Sequence, residues 1–141
     1  MKISTKGRYG LRLMISLAQN YQKGLVSLKE IAQHQEISEK YLEQIIILLH
    51  KSGLIRSVRG SQGGYALAQS PADITAGMVL RALEGPLVPV DCVLDDEMCS
   101  RIDQCPTRGL WEKIADAVND VVEATSLAEL ANPPAADDFV I

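Results

Sequence analysis

No apolar run in this sequence approaches the roughly 20 residues that span a bilayer, which excludes a transmembrane helix. The opening Met1-Lys2-Ile3-Ser4-Thr5-Lys6 carries no apolar stretch of the signal-peptide kind. The chain is therefore expected in the cytoplasm, where thiols stay reduced. Cysteine is scarce, with three residues, and an odd count argues against a simple disulfide framework. No Cys-x-x-Cys occurs, and neither His34 nor His50 accompanies a cysteine. These gaps remove the usual marks of a thiol oxidoreductase or a cysteine nucleophile, and no enzyme is expected. Internal repeats are also lacking. What is present is a chain of 141 residues, 47% hydrophobic, the size of one domain or of one small domain with an appendage. Such a length buries enough surface to hold a core without disulfides.

Charge is unevenly spread. Residues 1–60 carry ten Lys+Arg against four Glu, whereas residues 61–141 carry four Lys+Arg against fourteen Asp+Glu. A basic first half suits a polyanion, and an acidic second half stays away from one.

Apolar periodicity predicts a helix over residues 6–22, through Tyr9, Leu13, Leu17 and Tyr21, stopped by Gly24. A short second helix over 28–34 starts at a Ser27–Glu30 capping box, with Val26 and Ile31 as hydrophobic staple. A third helix follows Ser38, buries Leu42, Ile45, Ile46 and Leu49, and ends at Gly53. Two helices joined by a tight turn after a supporting helix form a helix-turn-helix. Leu54–Val58 and Tyr65–Ala68 flank the glycine-rich loop 59–64, which makes a β-hairpin wing. A fourth helix runs from Ile74-Thr75 to Glu84 and stops at Gly85-Pro86. Residues 86–105 show no period and read as a long loop. A last long helix is expected from Pro106 to Ala124, with Pro at its first position. Trp111, Ile114, Val118, Val121 and Thr125 repeat along it at spacings of three and four. Ser126–Glu129 is a further capping box before a short final helix. The fold class is thus mainly α with a small β-hairpin wing. Its expected divisions are 1–85, the winged helix-turn-helix; 86–106, a cysteine-containing sensor loop; 107–131, the long and short C-terminal helices; and 132–141, a flexible tail.

On the third helix, about 100° per residue puts Lys40, Glu43, Gln44, Ile47 and Lys51 opposite the core face. Gln44 suits adenine, Glu43 can accept from cytosine, and Ile47 can meet a thymine methyl. The lysines supply phosphate attraction. Ser38 and Tyr41 stand at the helix N-terminus, where free N–H groups bind phosphate. Arg59 on the wing suits a minor groove. Lys2, Lys6, Arg8 and Arg12 can line the backbone. Double-stranded DNA is the expected partner.

Cys92, Cys99 and Cys105 are separated by six and five intervening residues. Cys92 to Cys105 is thirteen steps, about 220° around a helix, so one helix cannot converge all three thiols. A folded loop can. Thiolates suit iron–sulfur clusters, zinc or copper(I). The alternatives are a metal-free thiol switch, against which the acidic neighbourhood counts because it raises a thiol pKa, and no joint role. His34 and His50 read first as surface residues.

The runs "MKISTKGRYGLRLM", "VSLKEIAQHQEISEKYLEQI", "LIRSVRGSQGGYALA" and "ITAGMVLRALEG" resemble the BadM/Rrf-two family of bacterial winged-helix transcription regulators. The resemblance is dense over residues 1–85 and looser over 86–130. It implies a homodimer on a roughly palindromic operator, with the third helix in the major groove and the wing in the minor groove. Ser38, Tyr41, Glu43, Gln44 and Arg59 match DNA-contacting positions of family members. The long C-terminal helix would dimerise, and its 3-4 apolar spacing agrees. Cluster-binding members hold an iron–sulfur cluster on three cysteines and a nearby histidine. The resemblance therefore implies a cluster, [2Fe-2S], with metal ligands Cys92, Cys99 and Cys105. Here Thr107 and Arg108 stand at the histidine position, which leaves Asp91, Asp95, Asp103, Glu112 and His34 as candidates for the fourth ligand. The backbone sequence also resembles family members that repress cysteine metabolism through a partner enzyme, cysteine synthase, without a cluster. The implied function is regulation of sulfur, cysteine or iron–sulfur metabolism genes, by cluster sensing, or alternatively by thiol oxidation or a partner enzyme.

Overall fold

The computed structural model describes residues 1–132; the tail reading lies, beyond Asn132, outside the described residues. Helices α1 (Thr5–Gln19), α2 (Leu28–Gln35) and α3 (Glu39–Lys51) are followed by strands β1 (Ile55–Val58) and β2 (Gly64–Leu67). Then come α4 (Ala76–Glu84), α5 (Arg108–Ala124) and α6 (Leu127–Ala131). Three short 3-10 turns cover Pro71–Asp73, Asp91–Val93 and Ile102–Gln104.

Helix starts follow the capping chemistry. Ser4, Ser27, Ser38, Thr75 and Ser126 each accept a backbone N–H three residues on. At Ser126 the capping box is complete, since Glu129 returns the bond to the Ser126 N–H. At Ser27 only the hydroxyl half of the expected box forms. Two helix ends differ from the sequence expectation. α1 stops at Gln19 rather than near residue 22, because Asn20 caps it with a side-chain bond to the Ser16 carbonyl. Pro106 is not the first residue of α5: Thr107 takes the cap position, and Leu110 and Trp111 donate to its carbonyl. The end of α3 is as expected. Gly53 takes φ 75, and the N–H groups of Gly53 and Leu54 close on His50 and Leu49. This Schellman closure packs Leu54 on Leu49 and aims the chain into β1.

One core joins α1, α2, α3, α4, the hairpin and α6, with Leu13, Met14, Ile31, Leu42, Ile45, Leu49, Ile74, Val79 and Leu127 among its residues. The expected staples and core face are all buried. The strands pair antiparallel, Ile55 with Leu67 through Val58 with Gly64. Val26 and Tyr65 exchange two backbone bonds of 2.9 and 2.8 Å, which fasten the wing to the residue before the α2 cap. A Cβ on Gly63 would fall 2.0 Å from the Val58 carbonyl oxygen, so a side chain there would prise the hairpin open.

After α5 the chain returns to the head. Ala76 donates to the Thr125 carbonyl and Leu127 to the Ile74 carbonyl, both at 2.8 Å. α6 then buries Leu127 against α1. α5 itself lies on α4, where Arg81 bonds both Glu123 and Asn119.

Candidate nucleic-acid interface and cysteine loop

The outward face of α3 is solvated as the helix phase requires. Lys40, Glu43, Gln44, Ile47, His50 and Lys51 are exposed, with Ile47 at 65%. An exposed aliphatic in this row has the chemistry to meet a thymine methyl. Ser38 is exposed at the cap, and its oxygen is engaged by the Tyr41 N–H at 3.2 Å. The side chain of Tyr41 is half-buried and packs edge-to-face on Tyr9, with ring centroids 5.9 Å apart. Arg59 is exposed directly after β1, on the arm of the wing. An open cleft of about 700 Å³ separates α3 from the wing, lined by Ile47, His50 and Lys51 on one side and Val58 and Arg59 on the other.

Lys2 and Arg8 are exposed and Lys6 is half-buried in the first turn of α1. Arg8 donates to the Thr5 hydroxyl at 3.2 Å. Glu84, at the end of α4, accepts from both the N–H and the hydroxyl of Ser4. That contact fixes the start of α1 and was not legible in the sequence, since it joins residues eighty positions apart. Arg12 donates to the side chain and the backbone of Gln35 and lies 5.4 Å from the Tyr9 ring centre.

The cysteine loop is not a helix, as the phase argument requires. Cys92 sits half-buried in the Asp91–Val93 turn, Cys99 is exposed, and Cys105 is half-buried after the Ile102–Gln104 turn. All three are free thiols. Among the described residues no three Cys, His, Asp or Glu side chains converge into a ligand set. Of the fourth-ligand candidates, Glu112 is already engaged by Arg108, and His34 lines a small cavity with Ser16, Asn20 and Glu30 on the α1–α2 side.

Arg108, noted in the sequence only as an occupant of the histidine position, organises the loop. It bonds Glu112 at 2.8 Å, Asp96 at 2.5 Å and the Cys92 carbonyl at 3.3 Å. The Glu112 carboxylate, and after it that of Asp96, holds the pKa of Arg108 above the usual guanidinium value. The i,i+4 spacing of Arg108 and Glu112 was a readable signal; the bond to Asp96 depends on how the loop folds. Cys105 corrects an expectation. Acidic neighbours were expected to raise its pKa, yet the Thr107 hydroxyl at 3.3 Å, the Thr107 backbone and Arg108 lower it. Local hydrogen-bond donors outweigh the acidity of the surrounding sequence.

A winged helix-turn-helix with a solvated reading helix defines a DNA-binding transcription regulator. The sequence profile of Rrf2, described as "Iron-dependent Transcriptional regulator", matches residues 3–133, and the chain belongs to this family. It is 48% identical over 132 residues to the HTH-type transcriptional regulator CymR of Bacillus subtilis (strain 168), covering 94% of this chain and 91% of the relative. It is 39% identical over 132 residues to the HTH-type transcriptional regulator IscR of Pectobacterium carotovorum subsp. carotovorum (strain PC1), covering 94% and 80%. The solved structure of CymR (YrzC), the global cysteine regulator of B. subtilis, superposes with a TM-score of 0.82 at 47% identity, covering 96% of this chain and 99% of that one. The chain is a transcriptional regulator and not an enzyme.

Proposed function

We propose that this regulator binds a roughly palindromic operator as a homodimer and answers to the state of its cysteine loop. The observation that carries the DNA reading is the exposed α3 row Lys40, Glu43, Gln44 and Ile47 beside the wing cleft that ends in Arg59. In this reading residues 1–85 form the reading head, 86–106 the sensor loop and 107–131 the dimer arm. Gln44 and Glu43 read base edges, and Ile47 meets a thymine methyl. Lys2, Lys6, Arg8 and Lys40 meet phosphates, Ser38 and Tyr41 present the α3 N-terminus to the backbone, and Arg59 enters a minor groove.

Dimerisation rests on α5. Ala115 is its one buried residue, and Trp111, Val118 and Val122 are half-buried towards the rest of the chain. Leu110, Ala117 and Val121 are exposed on another row. Leu110 and Val121 are eleven steps apart, which returns to within about 20° of the same direction. An exposed apolar row of this kind calls for a cover, and a second copy supplies it with two-fold symmetry.

The donors of the cysteine loop suit a soft metal group by their chemistry, although they are not yet gathered. Cys92, Cys99 and Cys105 would hold a [2Fe-2S] cluster, which supplies, when bound, an oxidant-sensitive crosslink of the loop. Arg108 holds the loop to α5, and Arg81 holds α5 to α4 through Glu123 and Asn119. A change in the loop thereby reaches the arm that spaces the two heads. The regulated genes belong to sulfur, cysteine or iron–sulfur metabolism; the similar CymR of B. subtilis is a global cysteine regulator. A second reading has its own observation: the lowered pKa of Cys105 suits a thiol that responds to oxidants without a cluster. A partner enzyme such as cysteine synthase is the other cluster-free input. The visible spectrum and iron content of protein purified without oxygen separate the two. Colour with iron supports the cluster; a colourless protein free of iron and zinc removes it.

A further inference from the structure

Arg108 engages all three nitrogens of its guanidinium, two of them on the cysteine segment and one on α5. Nε donates to Glu112 one turn along α5, Nη2 to Asp96, and Nη1 to the carbonyl of Cys92. Its side chain is 17% exposed, while that of Asp96 is 84% exposed. The cation is sunk against the backbone and the carboxylate lies over it. An exposed ion pair alone contributes little. A planar fork that fixes three partners in three directions sets geometry as well.

The partners fall unevenly among the cysteines. Cys92 is reached directly, through its backbone carbonyl. Cys105 lies three residues before Arg108, with its thiol on the hydroxyl of Thr107, the residue at the N-cap position of α5. Both are half-buried. Cys99 lies between them on the arc 97–101, beyond the Asp96 anchor, every residue of which is exposed. The segment is thus divided into two cysteine sites drawn to the start of α5 and one on an open arc.

We propose that Arg108 is a positioning residue that holds the Cys92 and Cys105 segments together at the α5 N-terminus in the metal-free protein, leaving Cys99 on a free arm that closes over a soft metal or cluster. The second half rests on the reading of the loop as a metal site; the first half does not. The arrangement lowers the ordering cost of binding, because one arc moves while two donors are held. It also explains a guanidinium at the foot of a cysteine loop: it organises the loop through a carbonyl and two carboxylates, and no thiol is lost to it.

The test is per-cysteine labelling of reduced, metal-free, full-length protein with iodoacetamide, followed by mass spectrometry, in wild type, Arg108→Gln and Arg108→Lys. Arg108→Lys keeps the charge and loses the fork, and it serves if the glutamine variant does not fold. Cys99 should label fastest in wild type. Either variant should speed Cys92 several-fold and leave Cys99 unchanged. An unchanged Cys92 rate, or equal acceleration of all three thiols, overturns the positioning role. The second half is read with zinc(II) alone: protection of all three cysteines in wild type supports closure of the Cys99 arm. If zinc protects none, the metal reading and the closing arm fall, while the Cys92 rate still judges the role of Arg108 by itself.

Discussion

Arg12 of α1 donates Nη2 to the backbone carbonyl of Gln35 at 2.7 Å, and Nε to the Gln35 side-chain oxygen at 2.9 Å. Gln35 in turn donates to the hydroxyl of Ser16, a buried polar residue, at 2.7 Å. The last residue of α2 is thereby tied to the supporting helix just before the turn into α3. Glu36 follows in the left-handed region at φ 56, so the turn geometry depends on this anchor.

Gln35→Ala removes the partner of a buried hydroxyl and should cost about 1–2 kcal/mol in urea unfolding. The same variant should weaken operator binding without changing its salt dependence, since Gln35 carries no charge. An unchanged urea midpoint would contradict the anchor.

Gln44→Ala should relax sequence preference at one operator position, with a loss of about 1–3 kcal/mol on the preferred base. Binding to a panel of single-base operator variants checks this. Equal weakening on every variant would show that Gln44 is no reader. Lys40→Ala should instead weaken all duplexes alike and lower the salt slope by about 1.

Most of the reading head was legible in the sequence because its signals are local. A serine or threonine cap, a staple and a Schellman glycine are each spelled within six residues. The α5 start was misplaced because Pro106 is compatible with a first helical position, and only the chain geometry puts Thr107 at the cap. The apolar positions of α5 read as one seam in the sequence, whereas α4 takes up the Ala115 side and leaves the Leu110–Val121 row outside. Periodicity shows that a face is apolar and is silent on which neighbour covers it. The loop was least legible. Its hub, Arg108, reaches Asp96 and the Cys92 carbonyl across twelve and sixteen positions, and no local pattern encodes such contacts.

The exposed α5 row gives a direct prediction. Val121 is 65% exposed in the single chain, so Val121→Asp leaves the fold of a lone subunit intact. In a dimer it places two like charges near the symmetry axis. Sedimentation should show the variant as a monomer, and its affinity for a palindromic duplex should fall while circular dichroism stays unchanged. A dimeric Val121→Asp protein would contradict the role of this row.

Cys105 should titrate low in metal-free protein. Its thiolate is favoured by the Thr107 hydroxyl and backbone and by Arg108, so it is populated at a lower pH than in an ordinary thiol. Reaction of Cys105 with iodoacetamide, followed against pH, should therefore rise with a midpoint below that of an ordinary thiol. Thr107→Val removes the hydroxyl and should move the midpoint up. A midpoint that does not respond to Thr107→Val would contradict the assigned cause.

The central claim is that this chain reads a palindromic operator, and equilibrium binding to such a promoter fragment against a scrambled duplex across a salt series tests it most directly. Metal-free and iron–sulfur-reconstituted protein are measured side by side. At least one form should prefer the palindrome, its log affinity should fall linearly with log salt, and the two forms should differ. Absence of binding by both forms at low salt would contradict it.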